Sequence, residues 1–164
     1  MINKINFLFV TLFGIGKIKK IPGSFASLFT TIFLFFILHI LNVSENIVLV
    51  FVFVIFFISL YAVNIFIKDL DNKDPKEVVI DEFIGQSIPI CLYEIAHEGV
   101  KETNEILTSY FIMFILFRIF DIVKPYPVSY YDKNFKNSFG VIMDDVCAGL
   151  YVVAVLVLYM VFFS

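Results

Sequence analysis

The stretch Ser109–Pro127, SYFIMFILFRIFDIVKPYP, places nine uncharged residues directly before three charged residues and two prolines. Arg118, Asp121 and Lys124 follow one another at three-residue spacing, which puts them along one face of a helix. The prolines then end that helix, because proline lacks a backbone donor and clashes with the preceding turn. An apolar helix that ends in a charged patch is typical of a segment that crosses a membrane and ends at its surface.

The composition of the whole chain agrees with a membrane protein. Of 164 residues, 60% are hydrophobic and 22 are Phe, which is more than soluble domains usually contain. Cys91 and Cys147 lie in apolar surroundings without a CxxC pair, so we expect packing residues rather than a disulfide or a zinc site. The sequence therefore predicts one membrane-embedded domain, residues 1–164, with no nucleic-acid partner.

Four predominantly apolar runs are long enough to cross a bilayer as helices, which requires about 20 residues each. These predicted spans are Ser24–Leu41, Asn46–Ile67, Asn104–Val123 and Ile142–Phe163. A fifth run, Phe83–His97, is 15 residues long and contains Pro89 and Glu94, so it either spans the bilayer or forms a re-entrant helix. The predicted fold class is all-α: a small polytopic membrane protein with four strong transmembrane helices and this short helix.

The basic residues predict the orientation of the chain, because positive charge near span ends stays on the cytoplasmic side. With the N-terminus inside and five alternating helices, eleven of the twelve Lys and Arg residues face the cytoplasm and only Lys101 faces outward. Residues 1–23 form an N-terminal segment, in which we expect Ile5–Phe13 to lie along the membrane surface.

Two pairs of adjacent acids lie next to apolar helices and glycines. The motif VVIDEFIGQ contains Asp81 and Glu82 directly before the short helix, and GVIMDDVCAG contains Asp144 and Asp145 at the start of the last helix. Carboxylates in the first turn stabilise a helix through its dipole. Paired carboxylates also suit Mg²⁺, and a second acid in an apolar helix is costly unless it is paired or metal-bound. Both interpretations stay open for each pair.

Two further segments supply positive charge and backbone donors. Arg118, Asp121 and Lys124 form either an interfacial ion pair or a divided site with Asp121 on metal and the bases on phosphate. In GIGKIKKIPGSFAS, Gly23 and Ser24 lead into the first span, so free N–H groups of that helix can face an anion.

Together the four segments resemble the phosphatidylglycerophosphatase A family. The resemblance rests on GIGKIKKIPGSFAS (14–27), VVIDEFIGQ (78–86), FRIFDIVKPYPVSYYD (117–132) and GVIMDDVCAGLY (140–151), in that order. It implies a lipid phosphatase that removes the terminal phosphate of phosphatidylglycerophosphate to give phosphatidylglycerol in phospholipid biosynthesis. It also implies Mg²⁺ as cofactor, a phospholipid substrate within the membrane, and a multi-pass location in the bacterial cytoplasmic (inner) membrane. The distribution of basic residues predicts that the active site faces the cytoplasm.

The resemblance also implies the residues of the site. The expected catalytic residues are Asp81, Glu82, Asp121, Asp144 and Asp145. The resemblance also gives Lys124 as the basic position on the phosphate side. From the chemistry of the side chains we expect Asp81, Glu82, Asp144 and Asp145 to bind the metal. We expect the substrate phosphate to be bound by Gly23, Ser24, Arg118 and Lys124.

The sequence alone leaves other functions open. A polytopic transporter or a non-catalytic membrane subunit would also carry acids at helix ends. The loop Asp69–Asp74, DLDNKD, follows a predicted span and is interpreted as a solvated loop. The number of metal ions, the division of roles among the acids and the oligomeric state are left open.

Overall fold

The computed structural model describes residues 4–97 and 102–163, and the fold within these ranges is all helical. Four helices are long and apolar enough to cross a membrane, which confirms the four predicted spans. The elements are α1 (Lys4–Val10), a 3₁₀ turn (Ile15–Lys17), α2 (Pro22–Phe35) with a π-helical extension (Phe36–Ile40), α3 (Glu45–Ile67), α4 (Ile80–Ala96), α5 (Thr103–Val123), α6 (Val128–Asn134) and α7 (Ser138–Phe163). The apolar spans are α2 with its extension, α3, α5 and α7.

The short helix α4 lies at the centre of the bundle, and nearly every residue from Ile80 to Cys91 is buried. Glu82 at its start approaches Gly23 of α2, and Glu94 near its end lies 3.4 Å from the ring of His39. Helix α4 therefore runs beside α2 from one end of the bundle to the other. Its 17 residues extend about 25 Å at 1.5 Å per residue, and α4 is not among the four helices that are long and apolar enough to cross a membrane, so whether it spans the bilayer or is re-entrant stays open.

Helices α4 and α7 approach each other closely at Gly85 and Gly149. A Cβ atom on Gly149 would lie 2.3 Å from the carbonyl oxygen of Gly85, and one on Gly85 would lie 2.6 Å from the carbonyl oxygen of Asp145. Residues without a side chain allow such backbone contact between helices. Asp81 and Asp145 each lie four residues before one of these glycines, so the same packing brings the two acids together.

Helix α7 begins earlier than expected, and this corrects the predicted position of its acids. The side chain of Asn137 accepts a hydrogen bond from the N–H of Gly140 at 3.0 Å, as an N-terminal cap does. The helix then starts at Ser138 rather than at Ile142. Asp144 and Asp145 consequently lie about two turns into the helix, so a role in capping its N-terminus is ruled out for them.

The N-terminal segment packs on the end of the bundle at which α3 ends and α4 begins. The Asn6 side chain donates to the carbonyl of Ala62 in α3 at 3.0 Å. The N–H of Val79 donates to the carbonyl of Val10 at 3.0 Å, which holds the residue before α4 in place. The location of Ile5–Phe13 along the membrane surface stays a prediction.

The close contact of α4 with α7 gives a stability prediction for Gly149→Ala. The added methyl group must push the two backbones apart, and overpacking of this kind costs about 1–3 kcal/mol. Heating in detergent with a thiol-reactive dye measures unfolding, because Cys91 and Cys147 are buried. We expect a lower midpoint for Gly149→Ala and an unchanged one for Ala154→Leu, which changes an exposed position of α7. Equal midpoints for Gly149→Ala and the unmodified protein would contradict the proposed packing.

Candidate active site

One polar cleft collects every residue that the sequence analysis assigned to the site. Its volume is about 540 Å³, and it lies where α2 and α4 begin and α5 ends. The assigned residues that line it are Gly23, Ser24, Asp81, Glu82, Arg118, Asp121, Lys124, Asp144 and Asp145. The structure thus brings together four segments that are far apart in the sequence.

Three carboxylates form the centre of this cleft. Asp81, Glu82 and Asp145 each place one carboxylate oxygen within 4.8 Å of the others. Asp81 and Asp145 are 7% and 4% exposed. In the described part of the chain, Asp81 Oδ1, Glu82 Oε2 and Asp145 Oδ2 are buried without a hydrogen-bond partner. Negative charges this close in a desolvated site repel one another strongly, so the cluster needs a cation or a proton for balance.

Asp144 lies beside this carboxylate cluster and faces Lys124. Its Oδ2 accepts a hydrogen bond from Lys124 Nζ at 2.8 Å, and its Oδ1 accepts one from the N–H of Asp145 at 3.1 Å. Lys124 Nζ also lies 2.8 Å from Asp132. Burial alone would lower the pKa of the Lys124 ammonium, but Asp144 and Asp132 outweigh burial and raise that pKa above its ordinary value. Lys124 therefore remains a fixed positive charge at physiological pH.

Arg118 forms a second basic position in the cleft. Its Nη1 lies 2.7 Å from Asp121, which is the pair expected from their spacing on α5, and it donates to Ser27 Oγ at 3.4 Å. Its Nε is buried without a partner among the described residues. A Cβ on Gly23 would lie 2.1 Å from Glu82 Oε1 and 3.3 Å from Arg118 Nη1. Glycine at this position therefore lets the start of α2 approach both charged groups.

The residues of the cleft fit a hard divalent cation. Mg²⁺ takes oxygen ligands, typically one or two carboxylates together with water and phosphate oxygens. The unpartnered oxygens of Asp81, Glu82 and Asp145 supply such ligands, and acids outnumber bases along the cleft. The acids are Asp74, Asp81, Glu82, Asp121, Asp144 and Asp145, and the bases are Lys19, Lys76, Arg118 and Lys124.

The sequence analysis did not assign several polar residues that border the cleft. Asp74 and Lys76 line it from the loop before α4, and Lys19 lines it from the N-terminal segment. The loop Asp69–Asp74 is largely exposed, as expected for a solvated loop. Within it, the side chain of Asn72 accepts a hydrogen bond from the N–H of Asp74 at 3.1 Å in a local turn. The short distance in sequence from Asp74 to Asp81 is the signal that could have identified Asp74 as a residue of the cleft.

Comparison with known proteins places the chain in a family. A model of the phosphatidylglycerophosphatase A family matches residues 8–160. The chain belongs to the phosphatidylglycerophosphatase A family. The matched range contains all four segments on which the resemblance rests, so the resemblance is confirmed. Phosphatidylglycerophosphatases are phosphoric monoester hydrolases, and membership in the family makes the protein an enzyme of this class.

Two of three named relatives carry the family's name, and the third is named for another lipid phosphatase. A phosphatidylglycerophosphatase A of Haemophilus influenzae is 35% identical over 155 residues, covering 94% of this chain and 88% of the relative. A Bacteroides thetaiotaomicron protein, provisionally named phosphatidylinositol-3-phosphatase, is 35% identical over 145 residues, covering 85% and 83%. A phosphatidylglycerophosphatase A of Escherichia coli is 29% identical over 93 residues, covering 57% and 49%. No solved structure matches this member of the phosphatidylglycerophosphatase A family.

The unpartnered carboxylates lead to a prediction about metal binding. We expect Mg²⁺ to raise the thermal midpoint of the protein, since a ligand at a hundredfold excess over its Kd stabilises by about 2.7 kcal/mol. Asp145→Asn removes a carboxylate from the cluster and should lose most of this Mg²⁺-dependent shift. The matched control is Asp71→Asn, an exposed acid outside the cleft, which should keep the full shift.

The metal-free proteins test whether Asp145→Asn merely damages the fold. Removing one of three neighbouring negative charges relieves repulsion, so the variant without Mg²⁺ should be at least as stable as the unmodified protein. An equal Mg²⁺ shift in Asp145→Asn and the unmodified protein would refute a metal site at this cluster.

Proposed function

We propose that this protein hydrolyses the terminal phosphomonoester of phosphatidylglycerophosphate to phosphatidylglycerol and inorganic phosphate, with Mg²⁺ as cofactor, in phospholipid biosynthesis. The observation that carries the proposal is a cluster of three carboxylates, two of them buried, each with one oxygen that has no hydrogen-bond partner, beside two basic residues in one cleft. Such an arrangement offers separate positions for a divalent cation and a phosphate group. The names of the Haemophilus influenzae and Escherichia coli relatives support the choice of lipid.

The basic residues and the start of α2 hold the phosphate in this proposal. Arg118 has an unpartnered Nε for a phosphate oxygen, and Lys124 contributes a second, fixed positive charge. The first N–H groups of a helix lack acceptors within that helix, so those of Gly23 and Ser24 are free for an anion. The phosphate thereby meets charge-assisted donors from two helices.

The acids divide into two groups by their contacts. Asp81, Glu82 and Asp145 would hold Mg²⁺, which when bound neutralises charge on the phosphoryl oxygens. Asp121 and Asp144 are paired with Arg118 and Lys124 and fix the positions of these bases. Glu82 would also orient a water molecule in line with the phosphorus and accept its proton. Attack by this water forms a P–O bond of inorganic phosphate, and the ester P–O bond breaks so that its oxygen stays on the head-group glycerol of phosphatidylglycerol.

The location of the cleft suits a lipid substrate at a membrane surface. The cleft lies at one end of the apolar bundle, where α2 and α4 begin and α5 ends. With the orientation predicted from the basic residues, this end faces the cytoplasm. We therefore propose a multi-pass location in the bacterial inner membrane, with a substrate that reaches the cleft from the cytoplasmic leaflet.

Phosphate release from purified protein in detergent tests the reaction. We expect release from phosphatidylglycerophosphate with Mg²⁺ and none with a chelator. Asp81→Asn should lower kcat at least about a hundredfold, because it removes charge at the position of transition-state stabilisation. Asp71→Asn should retain normal turnover. Absence of release by a folded protein, or normal turnover by Asp81→Asn, would overturn the proposal.

A panel of lipid phosphates decides the substrate within the class. The name of the Bacteroides thetaiotaomicron relative makes phosphatidylinositol 3-phosphate the informative competitor. A higher kcat/KM for that lipid than for phosphatidylglycerophosphate would replace the proposed substrate while leaving the phosphatase chemistry in place.

Labelling of single cysteines tests the orientation. Lys133 in α6 is exposed and lies at the site end, so Lys133→Cys should react with an impermeant maleimide only from the cytoplasmic side. Asn104→Cys, exposed at the start of α5, should react only from the outside. The native cysteines are buried and provide little background. The opposite pattern would reverse the proposed topology.

A further inference from the structure

The polar cleft adjoins an apolar groove between α2 and α5. The groove has a volume of about 310 Å³ and is almost entirely apolar. Its wall includes Leu28, Ile32 and Phe35 of α2 and Leu107, Phe111 and Phe114 of α5.

The groove and the cleft occupy the same faces of the same two helices. On α2, Ser24 lines the cleft and Leu28, four residues later, lines the groove. On α5, Arg118 lines the cleft, and Phe114 and Phe111 continue the same line away from it. Residues three or four apart share a helix face, so each helix presents one continuous surface that changes from charged to apolar.

The rim of the cleft is also apolar where these two helices meet it. Ile21, at the N-cap of α2, and Ile122, in the last turn of α5, line the cleft and are 66% and 69% exposed. Exposed apolar side chains beside a charged interior mark a surface that faces apolar material. The cleft is therefore bordered by an apolar edge on the side of the α2–α5 groove.

We propose that the α2–α5 groove binds an acyl chain of the phospholipid whose phosphate lies in the cleft. The inference rests on the proposed function. In such a lipid the phosphate and the acyl chains are covalently joined, so a protein that binds both needs a charged site that continues into an apolar one. Burial of the chain along the groove adds favourable apolar contact at roughly 25 cal/mol per Å².

A second apolar groove fits this role less well. It has a volume of about 440 Å³ and lies between α3, α4 and α7, with Val50 and Phe53 of α3 on its wall. Its walls on α4 and α7 belong to helices that also line the cleft, but α3 contributes no residue to the cleft, whereas both helices of the α2–α5 groove do. This second groove therefore serves as an internal control in the experiment.

Filling the α2–α5 groove with a larger side chain tests the proposal. Leu28→Trp is assayed on a long-chain diacyl phosphatidylglycerophosphate and on its deacylated, water-soluble headgroup phosphomonoester. We expect kcat/KM to fall at least about tenfold for the diacyl substrate and less than about twofold for the deacylated one, since only the former loses chain contacts. Val50→Trp, which fills the second groove, should leave both rates unchanged.

If Leu28→Trp lowers kcat/KM equally for the two substrates, the groove assignment is wrong. It is also wrong if only Val50→Trp lowers kcat/KM selectively for the diacyl substrate. Photolabelling separates this failure from failure of the proposed function. A diacyl phosphomonoester with a diazirine in its acyl chain should label peptides of α2 and α5, whether or not phosphate is released. Labelling confined to α3 would refute the proposal even in an active enzyme.

Discussion

The backbone contact between α4 and α7 at Gly85 and Gly149 is the interaction on which the site depends. It sets two parallel helices at a distance that side chains would forbid, and each helix has an acid one turn before its glycine. A Cβ on Gly85 would also lie 2.7 Å from the ring of Phe117, so α5 packs at the same level. The residue after Phe117 is Arg118, so this packing also positions Arg118 in the cleft.

This packing creates an electrostatic arrangement with an anionic centre and cationic sides. Partly buried ion pairs are costly to break, because removal of one partner leaves an uncompensated charge in a desolvated site. The pairs Arg118–Asp121 and Lys124–Asp144 therefore hold the two bases in fixed positions around the carboxylate cluster. Preorganised charges of this kind stabilise a transition state without further reorganisation. The sequence analysis expected all five acids to act at the site, but their contacts differ. Asp121 and Asp144 are paired with bases, whereas the acids of the carboxylate cluster each have an oxygen without a partner.

The sequence was sufficient for features that depend on local pattern. Hydropathy located the four spans, and the four charged segments located every assigned residue that lines the cleft. Features that depend on contacts between distant segments could not be obtained in this way. The pairing of Asp144 with Lys124 joins α7 to the end of α5, and helical periodicity does not specify which faces meet. The start of α7 was misplaced because the cap at Asn137 lies outside the apolar run from which the span was read.

The dimensions of the α2–α5 groove relate the site to the thickness of a membrane. From Ser24 to Phe35, and from Arg118 back to Leu107, each helix advances eleven residues, or about 16 Å at 1.5 Å per residue. The hydrocarbon core of a bilayer is about 30 Å thick, so the distance from the cleft to the far end of the groove is about the depth of one leaflet. A phosphate in the cleft and a chain in the groove are therefore separated as they are in a lipid that remains in its own leaflet. In the proposed complex the head group therefore reaches the charged cleft while the acyl chain stays in apolar surroundings along α2 and α5.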